Sequence, residues 1–360
     1  MRNWRRLLLI TIGGLWGSAA TAQDQHPLVP SDGLVSVMTY NVKGAPWPVT
    51  HGRGRALRTI AERLRQLRAD GLNPHIVILQ EAFSAEARAI AGFAGYRYVV
   101  AGPGTRDRTD IPASRADLRF LEGRSFWHGE RAGKLFNSGL LLLSDYPVTR
   151  AARLSFPAFA CAGFDCMANK GAMLVTIEVP EGGTPIDIVA THLNSRHSAR
   201  VSDERSLYAY ERQLELLSGF IRANRDPRHP LIVVGDFNVG GAPARGVALA
   251  AQLPNWGARD APLVEALHAV VAAGEAGRPG PANAADAVMR RNTDFEFISA
   301  GRRAELVPLA ASVPFGRESS GGMLSDHIGY AITFRLDPRP FEMATSDTPA
   351  RLPTRLPSAP

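Results

Sequence analysis

The sequence predicts a single α/β domain in which short, buried strands are covered by helices. Several apolar runs are rich in Val, Ile and Leu and end in polar residues, which is typical of strands buried on both faces. Two longer segments, Arg53–Ala69 and 203–223, repeat apolar residues with the period of a helix and offer one face to a sheet. The polar strand ends are spread along most of the chain, which favours one domain over two.

The elements follow in a regular order. The predicted strands are 34–40, 75–79, 138–143, 172–179, 186–190, 231–234, 295–299 and 328–336. Residues 101–131 are arginine-rich and weakly patterned, and predict an inserted loop. Residues 240–291 form a second, Ala-rich insertion with a helix at 262–273. The Pro-rich segment 337–360 has no apolar period and predicts a disordered tail.

Composition and the first residues restrict the class of protein. The chain has 360 residues, 45% hydrophobic and 21% charged, which excludes a disordered protein, a collagen-like repeat and a disulfide-stapled miniprotein. Residues 1–22 have a basic start, an apolar stretch and a small-residue cleavage site, as a secretory signal does. A membrane anchor is the alternative, but its apolar run falls short of the roughly 20 residues that a span needs. We expect cleavage near Ala22 and a periplasmic or secreted protein.

The chain contains only two cysteines, Cys161 and Cys166. In an oxidising compartment they predict a disulfide that closes a short loop; two buried thiols or half of a metal site are the alternatives. A structural zinc site is excluded because no other cysteine exists to complete it.

Carboxylate, carboxamide and histidine side chains lie at the ends of the predicted strands, where each strand meets a loop. These residues are Asn41, Glu81, His192, Asp236, Asn238, Asp294, Asp326 and His327. If the strands pack side by side, their ends converge on one rim, where clustered carboxylates need a cation for neutralisation. Oxygen ligands without cysteine favour Mg²⁺, Mn²⁺ or Ca²⁺. A hard cation beside a histidine suits attack of water on phosphorus. Each residue alone has a structural explanation, such as a turn cap or a buried histidine, but the set would then require a coincidence at every strand end.

Short motifs around these residues resemble those of one superfamily. They are Thr-Tyr-Asn-Val at 39–42, Leu-Gln-Glu at 79–81, Thr-His-Leu at 191–193, Gly-Asp-Phe-Asn at 235–238 and Ser-Asp-His at 325–327. In this order they resemble the endonuclease/exonuclease/phosphatase superfamily over roughly residues 34–336. The resemblance implies a four-layer α/β (α+β) sandwich of deoxyribonuclease-like fold, with two packed, mostly antiparallel β-sheets flanked by helices. It also implies a catalytic domain at 33–336 and a metal-dependent phosphoric diester hydrolase that uses Mg²⁺, or Mn²⁺ in its place.

The same resemblance implies a metal site. Glu81, helped by Asn41, is similar to the family's principal metal ligand. Asp326 is expected to be a further metal ligand or an acid just behind it.

Catalytic roles are carried over in the same way. Asp236 and Asn238 resemble the pair that orients water and the transition-state oxygens. His327 resembles the catalytic histidine, with Asp294 as its carboxylate partner. His192 resembles a second histidine found in the hydrolytic branches. The resemblance leaves open which group is the acid and which is the base.

Three substrate classes are open: nucleic acid, phosphoinositide and phospholipid headgroup. The Trp-Cys-Asp-Arg element of inositol 5-phosphatases is missing near Asp294, which argues against a phosphoinositide substrate. Segments similar to neutral sphingomyelinases are 136–140, 144–148, Asp165 with 169–172, 191–193 and 212–214. We therefore expect a phospholipid substrate, with peripheral membrane contact by a protein that is a monomer.

Two alternatives remain beside the prediction of a phospholipid substrate. A secreted deoxyribonuclease-like endonuclease would use the arginine-rich residues 106–131 to track phosphates, although a solvated loop also explains them. A non-catalytic binding module is disfavoured because Glu81 and His327 are both present. The aromatic hairpin of secreted bacterial sphingomyelinases is not evident; the apolar candidates for lipid contact are 46–48, Phe126-Trp127 and 156–164.

Lysine is rare in this chain: of 41 basic residues only Lys43, Lys134 and Lys170 are lysines. Lys170 precedes Gly171, which permits close backbone approach. We predict that Lys170 reaches the substrate phosphate or the developing charge of the leaving group, as a point charge, and that Asp165 pairs with it before substrate binds. A Cys161–Cys166 bridge would restrain this pair. The alternative is a surface ion pair contributing about 0–1 kcal/mol.

Overall fold

Two six-stranded β-sheets stack at the centre of the protein. The computed structural model describes residues 33–45, 50–180, 183–258, 260–274 and 282–339. The strands are β1 (Leu34–Asn41), β2 (Ile76–Gln80), β3 (Tyr98–Ala101), β4 (Leu141–Ser144), β5 (Val148–Ser155), β6 (Gly171–Ile177), β7 (Ile186–His192), β8 (Leu231–Asp236), β9 (Val264–Glu265), β10 (Asp294–Ser299), β11 (Ala304–Phe315) and β12 (Gly329–Pro338). The helices are α1 (Arg53–Ala69), α2 (Ala85–Ala94), α3 (Arg115–Glu122), α4 (Arg196–Ala199), α5 (Asp203–Asn224), α6 (Pro243–Gln252), α7 (Ala266–Ala272) and α8 (Ala282–Arg291).

Most neighbouring strands are antiparallel. The first sheet has the order β11-β12-β1-β2-β4-β3, and the second has the order β5-β6-β7-β8-β10-β9. Only β1 with β2 and β7 with β8 pair in parallel among the described strands. These two parallel pairs lie in the middle of their sheets, so each sheet carries two adjacent strand ends that point the same way.

Three apolar clusters separate the layers. One lies between the sheets, with Ile78 from β2 and Ile188 from β7. A second packs α1, through Leu57, against the outer face of the first sheet. The third packs α5, through Leu217, against the second sheet. Each such buried side chain contributes roughly 1.5–3 kcal/mol of transfer free energy. The predicted four-layer sandwich of deoxyribonuclease-like type is confirmed.

Four strands, β3, β5, β9 and β11, were not predicted from the sequence. β9 has only two residues and lies within the segment 262–273 that was predicted as a helix. β5 contains Arg150 and Arg153, and β11 contains Pro308 and register shifts, because both are edge strands that need no continuous apolar run. β3, at the edge of the first sheet, has only four residues.

The predicted loop at 101–131 was wrong in part, because it contains α3. Ser114 and Asp117 form a capping box at its start, which stabilises a helix too short for a clear apolar period. The helix predicted at 262–273 is shorter, beginning at Ala266. The Glu265 side chain accepts from the N–H groups of Leu267 and His268, so it caps the helix there.

The two chain ends remain predictions. The expected signal, 1–22, and nearly all of the expected tail lie outside the described residues. The boundary of the tail shifts slightly, since β12 continues through Asp337 to Pro338. Among the described helices, none has the length and hydropathy to cross a bilayer.

Glu296 is a carboxyl group without a partner in the core between the sheets. It lies in β10 opposite Val234, is fully buried, and neither carboxylate oxygen has a hydrogen-bond partner among the described residues. Burial raises its pKa well above the usual value, and nearby Glu265 raises it further. The folded protein therefore holds a proton that the unfolded chain releases.

We predict that Glu296→Gln stabilises the protein more at high pH than at low pH. A raised pKa in the folded state contributes stability below the unfolded pKa and loses it as pH rises. In urea denaturation, the gain in unfolding free energy over wild type should be small near about pH 5 and larger near about pH 8. The exposed Glu62→Gln is the control and should show no such trend. An equal effect of Glu296→Gln at both pH values would contradict the prediction.

Candidate active site

The strand register brings the predicted site residues to one rim. In the first sheet, Asn41 pairs with Gln80 at the ends of the parallel strands β1 and β2. In the second sheet, His192 pairs with Asp236 at the ends of β7 and β8, and Asp294 at the start of antiparallel β10 also pairs with Asp236. Parallel strands end at the same edge, so the topology gathers these side chains without any long excursion of the chain.

Asn41 connects the two sheets. Its amide nitrogen donates to Glu81 Oε1 at 3.1 Å and to Asp236 Oδ2 at 3.0 Å. The residue is fully buried, and the Ser325 hydroxyl donates to its carbonyl oxygen at 2.6 Å. The carboxamide of Asn41 therefore holds a carboxylate from each sheet, and its main-chain oxygen holds the loop that leads to His327.

Three residues that follow strands of the site have left-handed backbones. They are Lys43, with a φ of 50°, Glu81, with 55°, and Asn238, with 51°. Such values are uncommon for side chains other than glycine, and they cluster at functional sites because the surrounding structure must hold them. The turn directs the Glu81 carboxylate towards the rim rather than along β2.

Glu81, Asn41 and Asp326 present the hard oxygen donors that a divalent cation prefers. Burial raises the pKa of Glu81, and the charge of Asp326 raises it further, against the effect of the Asn41 amide. Asp326 itself forms an ion pair with Lys43 at 2.7 Å, and its side chain is 56% exposed. Within the described chain, the Glu81 carboxylate has one hydrogen-bond partner, the neutral amide of Asn41. A cation bound there would neutralise the carboxylate, so these residues fit a metal site.

His327 forms a dyad with Asp294. Its Nδ1 lies 2.8 Å from Asp294 Oδ2, and its Nε2 lies 3.7 Å from Asp236 Oδ2. Burial opposes the charged imidazole, but the two carboxylates outweigh it and raise the pKa of His327. Burial raises the pKa of Asp236. These three residues also bring possible ligand atoms within 4.8 Å of one another, but a cation among them would compete with the Asp294–His327 hydrogen bond.

His192 and Asn238 complete the floor of the site. Burial, together with the charges of Lys170 and His327, lowers the pKa of His192 well below its usual value. The imidazole is therefore neutral, with Nε2 3.5 Å from Asp236 Oδ2. The backbone N–H of Asn238 donates to Asp236 Oδ1 at 2.9 Å, so Asp236 is held from two sides.

The predicted Asp165–Lys170 pair exists, and it is buried rather than superficial. Lys170 Nζ donates to Asp165 Oδ2 at 2.8 Å and to the Leu193 carbonyl oxygen at 2.9 Å, and lies 3.1 Å from His192 Nε2. Cys161 and Cys166 form a disulfide in the segment that carries Asp165. At Gly171, a Cβ atom would lie 1.9 Å from the Leu154 carbonyl oxygen, so only glycine fits beside the lysine.

One supporting residue was missed from the sequence. Arg245 is buried and donates to the carbonyl oxygens of Asn194, at 2.5 Å, and Asn238, at 2.9 Å, and to the Ser206 hydroxyl at 2.6 Å. It fixes the loops after β7 and β8 that carry the site. In an arginine-rich sequence nothing marks this arginine as different, since its neighbours come from distant segments.

The site opens into a cleft of about 360 Å³ with two kinds of wall. The polar side includes Glu81, Asp165, Lys170, His192, Asp236, Asn238, Asp326 and His327. The apolar side includes Phe83, Phe136, Phe164 and Met167. All the predicted site residues except the buried Asn41 and Asp294 line this cleft directly.

Comparison with known proteins agrees with this geometry. A sequence profile described as the Endonuclease/Exonuclease/phosphatase family matches residues 38–327. The chain belongs to this family. It is accordingly a metal-dependent phosphodiesterase of the endonuclease/exonuclease/phosphatase family. No match was found among curated proteins.

Solved structures show the same fold at low identity. Sphingomyelinase C from Streptomyces griseocarneus is 21% identical, with a TM-score of 0.55 over 83% of this chain and 99% of its own. Staphylococcus aureus beta toxin, solved with bound magnesium ions, is 15% identical, with a TM-score of 0.54 over 83% of this chain and 98% of its own. A humanized D. rerio TDP2 is 15% identical, with a TM-score of 0.51 over 84% of this chain and 99% of its own. The likeness establishes the endonuclease/exonuclease/phosphatase fold.

We predict that His327→Ala lowers kcat by about 10²–10⁴-fold, the usual contribution of a general acid or base. Asp294→Asn should lower kcat less, because Asp294 orients and charges the imidazole without contacting the substrate. Turnover of a soluble phosphodiester with Mg²⁺ measures both effects, and urea denaturation checks that both variants fold. Near-normal turnover by a folded His327→Ala variant would show that catalysis occurs elsewhere.

Proposed function

We propose that the protein is an exported, Mg²⁺-dependent phosphodiesterase that removes the headgroup of a phospholipid, as sphingomyelinases do. The observation that carries this proposal is the division of the cleft into a charged floor and an aromatic wall. Lys170, His192 and His327 suit a phosphodiester, whereas Phe136 and Phe164 suit an apolar group attached to it. A lipid combines both within one molecule.

Exposed aromatic side chains beside the cleft support peripheral contact with a membrane. Phe126 is 68% exposed and Trp127 is 83% exposed. Their loop packs against the cleft, because the ring of the following residue, His128, lies 6.1 Å from that of Phe164. Large exposed aromatics at one place are typical of interaction surfaces. The candidate at 46–48 lies outside the described residues.

In this proposal the chain's own residues bind and orient the phosphate. When a phosphoryl oxygen enters the cleft, it binds the compact positive charge of Lys170. The phosphoryl oxygen then displaces the contact between Lys170 and Asp165. Asp236 and Asn238 orient the attacking water, and His327 holds a proton at Nε2 for the leaving group. Glu81, Asn41 and Asp326 would hold Mg²⁺, or Mn²⁺, which when bound neutralises charge on the phosphoryl oxygens.

Export is supported by the Cys161–Cys166 disulfide, which persists in oxidising compartments.

The second candidate function is that of a secreted endonuclease. It is favoured by the arginines of residues 106–131, several of which are exposed. Nucleic acid would use the same floor of the cleft but not its aromatic wall.

We predict that Lys170→Arg lowers kcat by about tenfold or more while leaving the melting temperature nearly unchanged. The guanidinium keeps the charge that pairs with Asp165, so the fold is retained, but its planar fork does not reproduce the compact contact of an ammonium with His192 and the substrate. Lys170→Ala should lower kcat and also stability, by about 3–5 kcal/mol, because it leaves Asp165 buried and unpaired. If both variants turn over like wild type, Lys170 does not contact the substrate.

The substrate class is tested by one panel: sphingomyelin vesicles, phosphatidylcholine vesicles, duplex DNA and RNA, each with Mg²⁺ and with EDTA. We expect release of phosphocholine from sphingomyelin with Mg²⁺, none with EDTA, and intact nucleic acids. Cleaved DNA with untouched lipid would replace the proposal by the endonuclease. Full activity in EDTA would contradict the metal requirement.

Trp127→Ala refines the lipid arm of the panel. It should lower turnover on vesicles but not on a soluble phosphodiester, since the exposed indole does not line the cleft. The matched control is Leu118→Ala, which removes another exposed apolar side chain, 52% exposed, from α3. Equal losses in both variants would mean that Trp127 has no special contact with lipid.

A further inference from the structure

A second cavity shares a wall with the catalytic cleft. It has a volume of about 330 Å³, and none of its lining residues lines the cleft. Within the wall segment, Cys161, Cys166 and Asn169 line the second cavity, whereas Asp165 and Lys170 line the cleft. The two cavities are therefore separate spaces divided by one disulfide-closed segment.

The second cavity is strongly basic. Arg108, Arg124, Arg131 and Lys134 line it, and none of them forms an ion pair with another described residue. Within the described chain they donate hydrogen bonds to backbone carbonyl oxygens; Lys134 Nζ, for example, donates to the Ala168 oxygen at 3.1 Å. Clustered cations of this kind repel one another unless an anion is present.

The single carboxylate of the cavity does not neutralise these charges. Glu130 is fully engaged by Arg205, at 2.7 Å and 3.1 Å, and accepts from the backbone N–H groups of Ser125 and Gly163. The charge of Arg205 cancels that of Glu130, so the excess of positive charge remains.

Lys134 has the environment of a cation that lacks a counter-charge. Burial, together with the charges of Arg108 and Lys170, lowers its pKa to about 8, against the effect of Asp165. A bound anion would compensate both the lost hydration and the repulsion.

We propose that this cavity binds a phosphate-type oxyanion as a site distinct from the catalytic cleft. Guanidinium forks and an ammonium are the donors that recognise phosphate oxygens. The volume suits one tetrahedral anion with its water rather than a duplex. The anion comes either from an anionic lipid headgroup or from free phosphate. Arg124 and Arg131 flank the exposed Phe126 and Trp127, so the headgroup source rests on the proposed function, whereas binding of free phosphate does not.

The test uses the full chain in EDTA, with the background variant His327→Ala, so that turnover does not interfere. The probes are inorganic phosphate, followed by melting temperature, and phosphatidylcholine vesicles with or without phosphatidic acid, followed by co-sedimentation. The cavity variant is Arg108→Gln/Arg131→Gln, in which both positions are exposed. The matched control is Arg115→Gln/Arg119→Gln, which removes the same charge from exposed positions of α3 outside the cavity.

Phosphate should raise the melting temperature of the background protein and of the α3 control, and above the Kd the rise should follow the logarithm of the phosphate concentration, by mass action. In the cavity variant its apparent Kd should rise about tenfold or more, because charged hydrogen bonds are lost. If phosphatidic acid vesicles bind and phosphate competes with them, a headgroup is the ligand. If only phosphate binds, the ligand is the free anion, and both results support the site.

Three results would overturn the proposal. The cavity and α3 variants could respond to phosphate alike, with both or neither losing affinity, which means that the cavity does not hold the anion. Sodium chloride at the same ionic strength could raise the melting temperature as much as phosphate does, which indicates ionic strength alone. Duplex DNA could bind in a cavity-dependent manner while phosphate and vesicles do not, which indicates tracking of a nucleic acid backbone.

Discussion

The active rim depends on one buried carboxamide that joins the two sheets. Asn41 ends a strand of the first sheet, yet its amide nitrogen donates both to Glu81 and to Asp236 of the second sheet. A neutral donor placed between two carboxylates permits them to approach without a direct clash of charge. Replacing this side chain by an apolar one would leave both acids buried and without this donor, so the packing of the sheets and the chemistry of the rim are linked.

Charge compensation around that carboxamide is uneven, and the unevenness fits the proposed metal site. Asp294 has His327, Asp165 has Lys170 and Asp326 has Lys43, but the direct contact of Glu81 is only an amide. Clusters of carboxylates are retained where a cation or substrate completes them. The fold thus supplies matched pairs near the substrate and leaves one acid available to a metal.

Much of this arrangement could be predicted from the sequence, because buried central strands are recognisable as apolar runs with polar ends. The rim residues were found for that reason, and Lys170 was found because lysine is rare in the chain. Edge strands such as β5 could not be found, since their exposed face tolerates arginine. Arg245 and the cavity around Lys134 also escaped prediction, because their neighbours are brought together only by the tertiary fold.

The pairing of β1 with β12 has a consequence for the order of events during synthesis. The first described strand of the chain is hydrogen-bonded to the last one, in the interior of a sheet, and His327 lies two residues before that last strand. Contacts between residues so far apart form late and at a high entropic cost. A ribosome-bound chain that has not yet released β12 therefore contains no complete catalytic rim, and a prematurely terminated product that lacks β12 would be inert.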